Sequence, residues 1–275
     1  MSTPFNPFSY PIMFSRPRLL TRHSYWQEHI PFGMFLIAAH RPRVLVELGA
    51  QYGDSYCAFC QAAHELAIEM RGYAVDTWAG DIHTGQYGSQ VLDELRAHHD
   101  PRYGSFSTLV QTTFDEALSR FGDGEIDLLH IDGTHTYQAV KHDFESWLPK
   151  TSWRGIVLLH DTNVLEESYG VRTLFDELKA IYPNFEFLHG YGLGVLAVGA
   201  QAADELKWFF EAGPAEASQI RSLFYALGRV LSSRTQVERL TETVEEKEEL
   251  ILKLKSSLDE AETVRTMLHE QINQI

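Results

Sequence analysis

The stretch that most limits what this chain can fold into is Val44-Leu45-Val46-Glu47-Leu48-Gly49-Ala50-Gln51-Tyr52-Gly53-Asp54-Ser55. An apolar strand ends in an acid, passes through a turn with two glycines, and enters a helix. That order brings backbone N–H groups to the carboxyl edge of a sheet, close enough to cradle a nucleoside cofactor. A second segment, Ile126-Asp127-Leu128-Leu129-His130-Ile131-Asp132-Gly133-Thr134-His135, is another apolar strand. It closes on an aspartate with a histidine three residues later. Together the two predict a nucleoside-cofactor site beside an acid/base or metal site.

Around these segments the pattern alternates. Strands are expected at 44–48, 73–76, 106–110, 126–131 and 155–160. Helices are expected near 54–70, 87–98, 113–121, 136–147 and 171–181. Two further strands, 185–189 and 193–198, follow in quick succession around Gly190, Gly192 and Gly194. Five β-α units ending in a hairpin predict an α/β fold: a Rossmann-like, mostly parallel seven-stranded sheet with one antiparallel strand. The strands are continuous apolar runs, as expected when helices cover both faces. Before them, Pro31 can open a helix through Phe32, Phe35, Leu36 and Ile37. Residues 1–24, with Pro4, Pro7, Pro11 and Pro17 among aromatics, read as an extended N-terminal arm lying on the domain or on a second copy.

Composition narrows the function classes. With 275 residues, 44% of them hydrophobic, the chain can bury a sizeable core. A net charge of −15 argues against a nucleic-acid partner and against attachment to anionic lipid. Cys57 and Cys60 are three apart, without a second pair to complete a zinc site, and read as small apolar residues on one helix face. Neither a signal-peptide core nor an apolar run of about 20 residues is present. A cytoplasmic protein with no membrane span is the expectation.

The composition changes after Pro214, and residues 213–235 read as a linker or helix. From 236 to 275 apolar residues recur at alternating spacings of three and four, from Val237 and Leu240 through Ile251, Leu254 and Leu258 to Ile275. This predicts a C-terminal α-helical coiled coil and self-association through it, with Lys247 and Arg265 as polar seam residues.

The spacing Glu47-x-Gly49-x-x-x-Gly53 is wider than the dinucleotide pattern. It resembles the first motif of class I S-adenosylmethionine-dependent methyltransferases, which implies a methyltransferase domain over residues 25–212. In that family the turn passes under the methionine part of the cofactor, and an acid closing the second strand takes the ribose hydroxyls. Asp76, in Tyr73-Ala74-Val75-Asp76-Thr77-Trp78, stands at that position, and a carboxylate can accept two hydrogen bonds from a diol. The resemblance implies S-adenosylmethionine contacts from Glu47, Gly49, Gln51, Tyr52, Gly53, Ser55, Asp76, Thr77, Trp78, Thr113, Phe114 and Asp132. Trp78 or Phe114 could stack on the adenine.

Over residues 25–200 the pairs Asp132/His135 and His160/Asp161 resemble metal-dependent sugar O-methyltransferases of the macrocin and mycinamicin type. The order Trp78, Asp81, Tyr87, Asp132, His135, Trp147, His160, Asp161, Thr162, Asn163 is also similar to methyltransferase domains joined to bacterial glycosyltransferases. The resemblance implies Mg²⁺ or another divalent cation on Asp132, His160 and Asp161, with His135 as the base. His160 stands where that family carries an acid, and Mg²⁺ prefers oxygen donors. The implied partners are a sugar or glycan acceptor and a glycosyltransferase domain beyond residue 275, in polysaccharide biosynthesis. The chemistry is coherent: a cation lowers the pKa of a hydroxyl it holds, and an unperturbed histidine, titrating at about 6.5, can take the proton. A catechol-like small-molecule diol, or a non-catalytic scaffold for a glycan assembly, are the alternative readings. The loop 80–88, with Asp81, His83 and Tyr87, reads as a lid over the acceptor.

Overall fold

A computed structural model describes residues 5–23, 25–81, 85–201 and 206–272. His83 of the expected lid and Ile275 at the end of the heptad pattern lie outside the described residues. The chain divides into two compact units, Met1–Ser232 and Ser233–Ile275.

In the first unit the strands are β1 (Val44–Leu48), β2 (Arg71–Asp76), β3 (Ser107–Gln111), β4 (Ile126–Ile131), β5 (Thr151–His160), β6 (Asn184–Phe187) and β7 (Leu193–Ala197). They form one seven-stranded sheet in the order β3-β2-β1-β4-β5-β7-β6. All neighbours pair in parallel except at β7, which runs antiparallel to both β5 and β6. The expected sheet is therefore the observed one. β1 and β4, adjacent in space, lead their chains away to opposite sides, so a crevice opens at their carboxyl ends.

The helices α1 (Ile30–His40), α2 (Asp54–Glu65) and α3 (Gln90–Tyr103) cover one face of the sheet, and α4 (Tyr137–Trp147) and α5 (Val171–Leu178) the other. Alternate strand residues feed two cores. Leu45, Leu128, Ile156 and Leu158 join the first, whereas Val46, Leu129, Val157 and Leu159 join the second. Helix α1 is buried on nearly every side, which explains why its sequence lacks a polar stripe. Its Phe32 packs against Phe187, Phe209 and Phe224 at centroid distances of 4.6, 5.6 and 5.3 Å. Truncating such a ring to alanine costs about 3–5 kcal/mol.

Some elements depart from the expectations. The N-terminal arm is not extended. Residues Pro7–Ser9 and Pro11–Phe14 form 3₁₀ turns, each with a proline in its first turn. Ile12 and Met13 are buried in the first core, and Phe5 stacks on Trp208 at 4.4 Å. The arm is part of its own domain. Helix α2 stops at Glu65, because Ala67 turns left-handed (φ 47°) and the chain enters β2 two residues before the expected start. The helix expected at 113–121 shrinks to one turn, Phe114–Ala117, followed by the 3₁₀ turn Leu118–Arg120. Its start is fixed by Thr113, whose side chain accepts from Glu116 N–H in a capping box. Residues Gly80–Asp81 and Gly85–Gln86 pair as a small ribbon.

At the amino ends of the strands, buried Asp127 accepts from Arg43 N–H, Arg43 Nε and Nη2 (each 2.9 Å) and Ser152 Oγ (2.6 Å). Burial opposes its charge, but these bonds hold the carboxyl well below the usual range. It ties β1, β4 and β5 together at the sheet edge away from the crevice.

Helix α6 (Pro214–Ile272) is 59 residues long, so the stretch read as linker or helix is helical from Pro214. Its early residues Ile220 and Phe224 are buried in the first core. In the second unit, Ser233–Ile275, the apolar heptad residues from Val237 to Leu268 are exposed. Among the described residues, no helix is long and apolar enough to cross a membrane.

Candidate active site

A cavity of about 600 Å³ occupies the crevice at the carboxyl ends of β1, β2, β4 and β5. The turn after β1 forms its floor. Gly49 has φ +90° and Gly53 φ +84°. A Cβ on Gly49 would collide with the carbonyl oxygen of Asp132, and one on Gly53 with Leu95 of α3. Glycine is required at the first by the close approach of the turn after β4, and at the second by helix packing. Gln51 turns left-handed as well (φ 44°), which directs its N–H to Asp76 Oδ2 at 2.9 Å. Asp76 Oδ1 accepts from Trp78 N–H at 2.7 Å. The acid closing β2 is thus oriented by the turn it faces.

Most of the expected cofactor residues line the cavity: Gly49, Gln51, Tyr52, Gly53, Ser55, Asp76, Thr77, Thr113, Phe114 and Asp132. Two do not. Trp78 is buried, and its Nε1 donates to Gln51 O at 2.9 Å, so it braces the turn from behind. Glu47 is fully buried beneath the floor. It accepts from Ser55 Oγ (2.8 Å) and from His130 Nδ1 (2.9 Å). Trp26 Nε1 donates to the other nitrogen of His130 at 3.2 Å, which sets the ring's tautomer. Burial raises the Glu47 carboxyl above its ordinary value, with His130 acting against that. Glu47 therefore anchors α2 to β1 through Ser55.

The second half of the cavity gathers acids and imidazoles. Donor atoms of Asp132, His135 and Asp161 lie within 4.8 Å of one another. His135 Nδ1 is 3.2 Å from Asp161 Oδ2, and its ring stacks on Tyr169 (4.9 Å, 6° between planes). Asp161 itself is left-handed (φ 66°), an unusual conformation for a non-glycine residue, and its N–H is held by Gly192 O at 3.0 Å. His160 takes a different place from the one expected of a ligand. Its Nε2 donates to Gly190 O at 3.0 Å, and its Nδ1 lies 3.3 Å from Asp132 Oδ1 and 3.4 Å from Asp161 Oδ1. Burial works to lower its pKa, but the Asp161 and Asp132 carboxylates prevail and hold it well above the ordinary value. His160 backs the two acids instead of sharing a ligand with them.

Residues not foreseen complete the walls. His23, Tyr25 and Trp26 come from the segment ahead of α1, and Glu166, Tyr169 and Tyr191 from the loops after β5 and β6. His23 stacks on Tyr52 at 3.8 Å with 8° between planes. The segment is latched to α2 by Thr21, whose N–H and hydroxyl both donate to Asp54. Nothing local in residues 16–26 signals this, because the partners stand more than thirty positions away. Cys57 and Cys60 are buried and free, and burial pushes the Cys60 thiol up to about 12, so they are apolar packing as expected.

Residues 46–162 match the family model described as "Methyltransferase domain". The match starts in β1, includes the glycine turn and Asp76, and ends beside Asp161, so it spans the crevice just described. Over residues 46–162 the chain is similar to methyltransferase domains. A Sinorhizobium fredii protein, y4gI, described as uncharacterized, is 48% identical over 197 residues, or 71% of this chain. The chain spans 21% of that relative's length. Among solved structures, the chain is similar to TomG from Streptomyces achromogenes, an O-methyltransferase in complex with SAM (TM-score 0.48, 13% identity, 70% of this chain and 88% of that one). It is also similar to the SAH-bound Podospora anserina methyltransferase PaMTH1 (0.48, 14%, 71% and 97%). A third is a putative caffeoyl-CoA O-methyltransferase from Staphylococcus aureus (0.48, 12%, 60% and 80%). The likeness to methyltransferase domains rests on the sequence match over residues 46–162.

Proposed function

We propose that this methyltransferase domain moves the methyl group of S-adenosylmethionine to a sugar hydroxyl of a glycan or glycoconjugate. The observation that carries the reading is the convergence of Asp132, Asp161 and His135 at the end of the cavity whose other end is the glycine turn and Asp76. The cofactor fits that end of the cavity because Asp76 lines it, held by Gln51 N–H and Trp78 N–H in an orientation to accept from a ribose diol.

The two carboxylates fit a divalent cation, being adjacent, mostly buried and backed by His160. A cation held there would lower the pKa of a bound hydroxyl and neutralise the developing alkoxide. His135, with Nδ1 directed at Asp161, presents its other nitrogen as proton acceptor. The acceptor hydroxyl gives that nitrogen its proton as its oxygen bonds to the methyl carbon. When bound, S-adenosylmethionine would supply the methyl group from its sulfonium and depart as the neutral thioether. Tyr25, Tyr169 and Tyr191 line the wall, aromatic side chains of the kind that pack on the apolar side of a sugar ring.

A second reading makes His135 the third metal ligand, since its donor atom lies with those of the two aspartates. One experiment tests both. Chelation should abolish methyl transfer to a sugar panel while calorimetry still shows S-adenosylhomocysteine binding. His135→Ala should lose about 10²–10⁴ in rate with unchanged cation affinity if His135 is the base. A weaker cation affinity in that variant would favour the ligand role, and full activity in chelator would remove the metal altogether.

A further inference from the structure

The unit Ser233–Ile275 carries an apolar seam with no partner among the described residues of this chain. Taking Val237 as position a, the a positions hold Val237, Val244, Ile251 and Leu258, and the d positions hold Leu240, Leu254 and Leu268. Each of these seven side chains is 50–61% exposed. An apolar stripe of this length in water marks an interface.

Three features identify the occupant. The first is length. From 237 to 272 the seam runs about 54 Å at 1.5 Å per residue, whereas the longest other helix among the described residues, α3, has 14 residues and spans about 21 Å. Among the described helices only the same segment of another copy is long enough to cover it. The second is period. A strict seven-residue repeat drifts about 20° per heptad around a straight helix, hence about 100° over five heptads. A flat surface could not follow it, but a supercoiled helix could. The third is residue type. β-Branched Val and Ile at a with Leu at d favour two parallel strands over three or four.

The polar seam residues agree. In a parallel pair a d residue packs beside the partner's following e position, which sets Lys247 against the second copy's Glu248. Arg265 follows the smallest seam residue, Ala261, and has Glu262 one turn earlier. No g–e′ pair carries like charges: Thr243 faces Glu248, Leu250 faces Lys255, Ser257 faces Glu262, and Val264 faces His269. Leu250 and Val264 widen the apolar strip. Away from it, Glu249 and Lys253 pair along the helix at 2.7 Å.

We infer that Ser233–Ile275 pairs in register with a second copy of itself as a parallel two-stranded coiled coil. Light scattering on the full chain should give twice the chain mass of 31.4 kDa. The full-length double variant Ile251→Glu, Leu254→Glu should give half that. Leu240→Cys should cross-link to itself under mild oxidation, since d faces d′ in a parallel pair, an antiparallel pair centred on 254 would hold the two 240 positions far apart, and the native cysteines are buried. The inference is overturned by a monomeric, trimeric or tetrameric mass. It is overturned equally by a dimer that survives the double variant, or by Leu240→Cys chains that link only to Leu268→Cys chains, which would mean opposite directions.

Discussion

His29 and His160 donate to one oxygen, the carbonyl of Gly190, each through Nε2 at 3.0 Å. The two imidazoles meet edge to face at 5.6 Å. One of them belongs to the acidic cluster, the other to the segment ahead of α1. Gly190 is itself left-handed (φ 53°), and a Cβ there would press on His29. The loop between β6 and β7 is thereby held against the end of β5, where Asp161 must keep its unusual backbone angle.

This pairing makes stability pH-dependent. His29 is fully buried, and burial, with His160 and His189 adding to it, lowers its pKa well below the ordinary value. The unfolded chain therefore binds a proton on His29 that the folded chain refuses. The contribution is absent above about pH 6.5 and grows as a penalty on acidification. His29→Phe should destabilise at pH 7.5 by removing a donor to Gly190. Its thermal midpoint should approach the wild-type value at pH 5. A gap between the two proteins that stays constant across that range would contradict the account.

The glycine turn gives a graded comparison. Gly49→Ala places a methyl on the Asp132 carbonyl and asks alanine to hold φ +90°. Gly85→Ala imposes a similar angle, φ +75°, but meets nothing within 4 Å. The angle alone costs about 1–2 kcal/mol. Gly85→Ala should lose about that much stability and bind S-adenosylhomocysteine normally. Gly49→Ala should bind it at least ten-fold more weakly (about 1.4 kcal/mol), because the floor and Asp132 must separate. Calorimetric titration of both variants decides, and equal affinities would refute the role given to the close approach.

Asp143 on α4 is a buried acid behind Gly133, its Oδ2 lying 3.5 Å from where a Cβ on that glycine would stand. Burial pushes its carboxyl up to about 7, with His142 opposing and Asp115 reinforcing. Between about pH 4 and pH 7 the folded chain holds a proton that the unfolded chain has lost, so this group's contribution falls as pH rises through that window. Asp143→Asn should therefore raise the thermal midpoint at pH 8 and change it little at pH 4. A variant less stable than wild type at pH 8 would show that the ionised carboxylate has a favourable partner instead.

Local pattern was enough for a large part of this protein. Apolar runs broken by glycine at β1 and β4 are legible one segment at a time, because a strand buried on both faces must be apolar throughout. The alternation of elements then leaves few ways to arrange the sheet. Asp76, Asp132, His135 and Asp161 were visible for the same reason: each follows a strand whose end is marked in the sequence. Contacts between distant segments were not visible. Glu47 reads as a cofactor residue until His130 and Trp26 are seen to enclose it, and Trp78 reads as a stacking platform until its indole is seen to hold Gln51. The arm ahead of α1 reads as an appendage until Thr21 meets Asp54. His160 shows the limit best. Its position in the chain is that of a metal ligand, but the Gly190 carbonyl takes one nitrogen and two carboxylates flank the other. That choice depends on which groups the folded backbone brings within about 3 Å, and no spacing along the chain encodes it.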